Sequence, residues 1–162
     1  MQTIPEKTVN KTWRKTAAMP ESEIVRMINK FQKEQPAILA FLMIAGSDVL
    51  NQAEMELQLY LGAVVWRMMR RGEPKPEQVT ENRMLELAKR TEMMALYLHK
   101  ESEDEIIRTA ELIFKDHNQV NVLRYVTEAL YEEPSEEDMD IREEKKGLIF
   151  VNLKTVIEAM DQ

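Results

Sequence analysis

The sequence predicts an all-α protein, a single-domain multi-helix bundle or array of about seven helices. Three observations carry that expectation. Apolar residues recur at i, i+3, i+4 and i+7 in one segment after another, the period of a helix with one buried face. No stretch alternates apolar and polar residues as a half-buried strand would. Gly and Pro, at 4 and 6 residues in a chain of 162, are too scarce for a protein rich in β-turns. A chain of this length buries roughly 70% of its unfolded surface and needs no disulfide or metal staple.

Residues 1–19 are expected to form a flexible N-terminal arm. They mix Thr, Lys and Asn, show no helical period, and hold one large anchor, Trp13. Residues 20–162 then form the domain. The first helix covers about 21–35, opened by Pro20 and Ser22 and closed by Pro36. Its face is Ile24, Met27, Ile28 and Phe31. The second starts at Pro36, a favourable first-turn residue, and runs to Gly46. It is apolar all round, which predicts burial on every side.

The third helix is the strongest. Asn51 and Glu54 have capping-box spacing, and the stripe Leu57, Tyr60, Leu61, Val64, Val65, Met68 continues to Arg71. Gly72 is the expected αL cap. The second and third helices should therefore be central. Glu73-Pro74-Lys75-Pro76 is a stiff connector.

After Thr80, Met84, Leu87, Ala88, Thr91, Ala95 and Leu98 mark the inner face of a fourth helix. Ser102 and Glu105 read as a capping box for a fifth, faced by Ile106, Ala110, Ile113 and Phe114. Asn118 precedes a sixth, with Val122, Leu123, Val126, Ala129 and Leu130 inward. Residues 132–140 hold six acids around Pro134 and read as a solvated linker. The last helix covers about 141–160, with Ile149, Leu153, Val156, Ile157 and Met160 packed. Its interior Gly147, which costs about 1 kcal/mol against Ala, suggests a close helix–helix contact.

Composition excludes much chemistry. With no Cys there are no thiolate metal sites, iron–sulfur clusters or cysteine nucleophiles. Gly46, Gly62, Gly72 and Gly147 form no phosphate-binding loop. Ser22, Ser47, Ser102 and Ser135 all fall near helix starts, where a hydroxyl caps backbone N–H groups. No nucleophile elbow surrounds any of them. His99 and His117 lie near helix ends and belong to no metal-binding spacing. Asp138-Met139-Asp140 opens like an EF-hand loop, but Glu143 and Ile149 occupy its glycine and terminal glutamate positions. No cofactor, metal or catalytic residue is expected, and the reading leans away from an enzyme.

No membrane span is expected either. The longest apolar run, 37–45, has nine residues, where a span needs about 20. Residues 1–19 lack a secretory h-region, so a soluble, cytoplasmic protein is the default. The net charge of −7 opposes general nucleic-acid binding.

What remains points to a non-enzymatic helical scaffold or protein-interaction module. Leu85, Met93 and Leu96 lie off the main stripe of their helix, as do Leu148 and Phe150 on the last one. Such surplus apolar residues need cover, by a protein partner or by a two-fold homodimer. The 12 methionines suit an adaptable surface or core filling. The alternative is a nucleic-acid-associated regulatory protein, using Lys11, Arg14 and Lys15 of the arm with Arg67, Arg70 and Arg71.

Overall fold

The computed structural model describes residues 1–100, 102–132 and 140–162, including all their side chains except those of 98–100, 103, 106 and 107. Eight helices are seen: α1 (Glu6–Ala17), α2 (Glu21–Glu34), α3 (Pro36–Ile44), α4 (Gln52–Met69), α5 (Glu81–Lys100), α6 (Glu103–Asp116), α7 (Val120–Tyr131) and α8 (Glu143–Met160). The described residues contain no strand. One hydrophobic core joins α1 to α5, α7 and α8. No helix is long and apolar enough to cross a membrane among the described residues.

The N-terminal segment is a correction to the expected arm. Ile4 and Val9 are only 1% and 2% exposed, and Trp13 stacks on Tyr125 with ring centroids 6.3 Å apart. Helix α1 packs on α4 and α7. Its inward face is Val9, Thr12 and Thr16. Each threonine hydroxyl donates to the carbonyl four residues back, Thr8 and Thr12 respectively, at 2.8 Å. A threonine satisfied in this way can be buried as a near-apolar residue, and a count of apolar positions alone passes over it. The segment before α1 is also tied down. The Ile4 N–H donates to Gln119 Oε1 at 3.0 Å, and Asn121 donates to the Ile4 carbonyl at 2.9 Å. Gln119 also donates to the Gln2 carbonyl and to Asp161, so the start of α7 joins both ends of the described chain.

The centre is α4 with α8, rather than α4 with the segment at 36–46. Helix α8 packs against α4, α5 and α7, and its last three turns are buried almost throughout. Two glycines differ from expectation in the same region. Gly147 has open space where a Cβ would lie, so no close contact accounts for it. The close approach is at Gly62 in α4, where a Cβ would collide with Leu42 of α3 and touch Leu153 of α8. The expected αL cap at Gly72 is also absent: the positive φ, 78°, belongs to Gly46 after α3. At Gly72 a Cβ would lie 2.5 Å from the Met1 sulfur.

Caps follow the sequence at α4 and depart from it at α6. Asn51 accepts from the Glu54 N–H at 2.9 Å while Glu54 accepts from the Asn51 N–H at 2.9 Å, a complete capping box. At α5, Thr80 accepts from the Arg83 N–H at 3.2 Å. Ser102 stands at the N-cap of α6 and makes no side-chain cap bond. Ser135 and the linker residues 133–139, including Asp138 and Met139 of the calcium-like run, lie outside the described residues.

Glu54 has a second role. It is fully buried, and Arg142 reaches it with Nε at 2.9 Å and a terminal guanidinium nitrogen at 2.7 Å. The Arg142 N–H adds a bond at 3.0 Å, and its guanidinium also donates to the Val49 carbonyl at 2.7 Å. The start of α8 is thus pinned to the start of α4. These bonds hold the Glu54 carboxyl at about 2, below its usual 4.5; the side-chain bond from Arg142 contributes most, and burial opposes it. As pH falls, the unfolded chain takes up this proton first. The pair's contribution is complete above pH 4.5 and is lost on the way down through about 2. Glu54→Gln should cost about 2 kcal/mol at pH 7, the worth of hydrogen bonds to a charged group. Its denaturant midpoint should converge on that of the wild type as pH is lowered. A constant gap between the two proteins across that range would contradict this role.

Candidate functional site

Helix α3 is nine residues long, and its neighbours α2, α4 and α5 cover only part of its circumference. Ile38, Leu39 and Leu42 enter the core. Ala40, Met43 and Ile44 do not, Ile44 being 71% exposed. This corrects the expected burial on all sides. The uncovered face of α3 forms one wall of a hollow of about 1040 Å³. Helix α5 forms the opposite wall, and Leu148 and Asn152 of α8 contribute to the lining.

The lining is mostly apolar and in large part small. Ala37, Ala40 and Ala45 come from the α3 side, and Ala88 and Ala95 from α5, between the larger Phe41, Ile44, Met84 and Leu85. On α5 the lining positions Glu81, Met84, Leu85, Ala88, Thr91, Glu92 and Ala95 follow the i, i+3, i+4, i+7 spacing of one face. At 1.5 Å per residue that face runs for about 21 Å, roughly four helical turns. The charged lining residues are Asp48, Glu81 and Glu92, all exposed and all acidic.

A buried polar bridge fixes this geometry. The Gln58 side chain donates to the Leu42 carbonyl at 2.9 Å and to the Ala45 carbonyl at 3.0 Å, occupying carbonyls that the end of α3 leaves free. Asn152 donates to Gln58 Oε1 at 2.9 Å. Gln58 is fully buried, and Asn152 both supports it and lines the hollow. Nearby, the hydroxyls of Thr91 and Thr155 bond each other, and the one that accepts donates in turn to the carbonyl four residues back, Leu87 for Thr91 or Val151 for Thr155. Neither threonine is joined to a His or carboxylate in these bonds. The arrangement can bind and orient an apolar surface; it presents no nucleophile paired with a base among the described residues.

The expected interaction residues separate into three places. Leu85 and Leu148 line the hollow. Met93 and Leu96 are 71% and 60% exposed but lie outside it, beside the equally exposed Tyr97. Phe150 is half-buried and stacks on Phe114 of α6 at 6.5 Å, so α6 already supplies part of its cover. The basic residues separate as well. Arg67 and Arg70 line a second hollow between α2 and α4. Arg71, Lys11, Arg14 and Lys15 are exposed and are not among its lining, and Arg14 lies over the Trp13 ring at 5.6 Å.

The histidines behave as helix-end residues where they can be placed. His117 follows α6 and accepts the Gln119 N–H at Nδ1, 3.0 Å away. Burial, helped by the Lys154 charge, pushes its pKa below the usual value. The side chain of His99 lies outside the described residues. No group of three or more potential metal ligands occurs among the described residues.

Sequence reasoning passed over Ala37, Ala40, Phe41, Ile44 and Asn152. The alanines were legible as small residues at helical spacing, but an all-apolar helix gives no sign of which side stays open. Compared with known proteins, the chain matches no family model, and no curated protein or solved structure shows significant similarity to it. Gln58→Ala should leave the Leu42 and Ala45 carbonyls and the Asn152 amide without their partner, at a cost of about 1–3 kcal/mol. Urea melts measure it, and a change below about 0.5 kcal/mol, as at ordinary surface sites, would show that the bridge does not hold α3.

Proposed function

We propose that this protein is a non-enzymatic interaction module whose α3–α5 groove receives one amphipathic helix of a partner protein, flanked by Lys or Arg. The observation that carries the reading is the groove itself. It is a long apolar trough with small residues in both walls and acids as its charged lining. Helix-in-groove recognition needs such a trough, because an incoming helix brings its own large side chains at i, i+3, i+4 and i+7. Alanine walls leave room for them, and roughly four turns of α5 match the length of a typical docked segment. Asp48, Glu81 and Glu92 complement basic flanks and oppose acidic ones. The exposed Met43, next to the groove, supplies an adaptable contact.

Selection from a displayed library of amphipathic helices tests this reading. The wild type should enrich helices with Leu or Ile at i, i+3, i+4 and i+7 and with basic flanks. Ala40→Trp, which fills the groove from an exposed position, should abolish that enrichment without lowering the melting temperature. No enrichment, or enrichment that survives Ala40→Trp, would overturn the proposal. So would a light-scattering mass near twice 19.0 kDa that Ala40→Trp returns to 19.0 kDa, because a second copy would then be the occupant.

A further inference from the structure

A separate hollow, of about 290 Å³, lies between α2 and α4. Helix α2 presents Glu23, Arg26, Met27 and Lys30 to it, an i, i+3, i+4, i+7 set. Helix α4 presents Trp66 and Arg67, joined by its C-cap residue Arg70. Four cations thus face one concavity that contains a single acid of its own.

Their compensation is incomplete. Glu34 pairs with Arg70 at 2.7 Å and with Lys30 at 3.9 Å. Among the described residues, no carboxylate forms an ion pair with Arg26 or Arg67. The half-buried Arg67 guanidinium has two thioethers instead, Met19 at 3.0 Å and Met27 at 3.7 Å. Thioether sulfur is a weak acceptor and brings no negative charge. Burial and the neighbouring Arg71 and Arg70 charges work against the cation on Arg67, and the Glu23 carboxylate in the same hollow offsets them only in part. Trp66, 1% exposed, also contributes to the lining, and its buried indole N–H has no hydrogen-bond partner among the described residues. Arg70 lies over the Trp66 ring at 4.9 Å, which fixes that guanidinium beside the hollow.

We infer that this hollow is a binding site for a small-molecule phosphate monoester. Arg26 and Arg67 supply the two charges that a dianion matches, and guanidinium forks fit phosphate oxygens better than a point charge does. Met19 and Met27 offer a polarizable apolar wall to the carbon part of the ester. A phosphate alone fills only part of the volume, so the shape favours an ester over the free ion. An extended nucleic-acid backbone fits less well, since Lys11, Arg14 and Lys15 do not continue the hollow.

Isothermal titration of the full chain with phenyl phosphate, and with phenylacetate as a singly charged comparison, tests the site. Phenyl phosphate should bind with one-to-one saturation, and phenylacetate about tenfold more weakly, as expected for the loss of one charge-assisted contact. Arg67→Met, which keeps the stem and removes the charge, should weaken phenyl phosphate about tenfold. Should Arg67→Met fail to fold, Arg26→Gln on the exposed rim should show the same loss. Lys11→Gln should bind as the wild type does. Absence of saturable binding at millimolar ligand would overturn the inference. Equal affinity for the two ligands, undiminished binding in a folded Arg67→Met or Arg26→Gln, or an equal loss in Lys11→Gln would do the same.

Discussion

The end of α3 depends on one side chain. Gln58 projects from α4 and takes up two carbonyls, those of Leu42 and Ala45, that the helix leaves without partners. Without it, the Leu42 and Ala45 carbonyls would have to find another donor. The turn itself uses the positive φ of Gly46, which costs little only because the residue lacks a Cβ. Asn152 then locks Gln58 from α8. A fully satisfied buried network of this kind specifies one arrangement, because any shift of α3 breaks several bonds together.

The groove follows from that arrangement. With α3 stopped after nine residues and held against α4 at Gly62, where Leu42 fills the missing Cβ, half of the helix cannot reach the core. Helix α8 takes the central place instead, fixed at its start by Arg142 on buried Glu54. The same helix delivers Leu148 and Asn152 to the groove. Two polar clusters, at Glu54 and one turn further along α4 at Gln58, thus set where apolar surface is consumed and where it is left over.

Much of the fold was legible from residue spacing. The stripes of α2, α4, α5 and α7 and the Asn51–Glu54 cap follow directly from local pattern. The parts that were not legible share a cause: they depend on who the neighbour is. Thr12 and Thr16 look polar but return their hydroxyls to their own helix, so α1 was read as an arm. The uniform composition of α3 conceals its open side. Gly62 and Gly147 are alike in sequence, yet one meets Leu42 and the other meets nothing. Of the candidate site, Leu85 and Leu148 were visible as residues off their stripes. Gln58 and Asn152 carry no local signal, because their partners lie 16 and 94 positions away. The pairing of Arg67 with methionine sulfurs is equally invisible before α2 and α4 are laid side by side.

The central claim is that the open face of α3, set by the Gln58 bridge, is a docking surface. Amide chemical-shift mapping tests it most directly, using a labelled protein and a helical peptide with Leu at i, i+3, i+4 and i+7 and lysine flanks. The account predicts saturable shifts that cluster on Ala40, Ile44, Leu85, Ala88 and the side-chain amide of Asn152, with α1 and α7 unmoved. Shifts centred on the exposed Met93, Leu96 and Tyr97, or no saturable shifts at all, would contradict it.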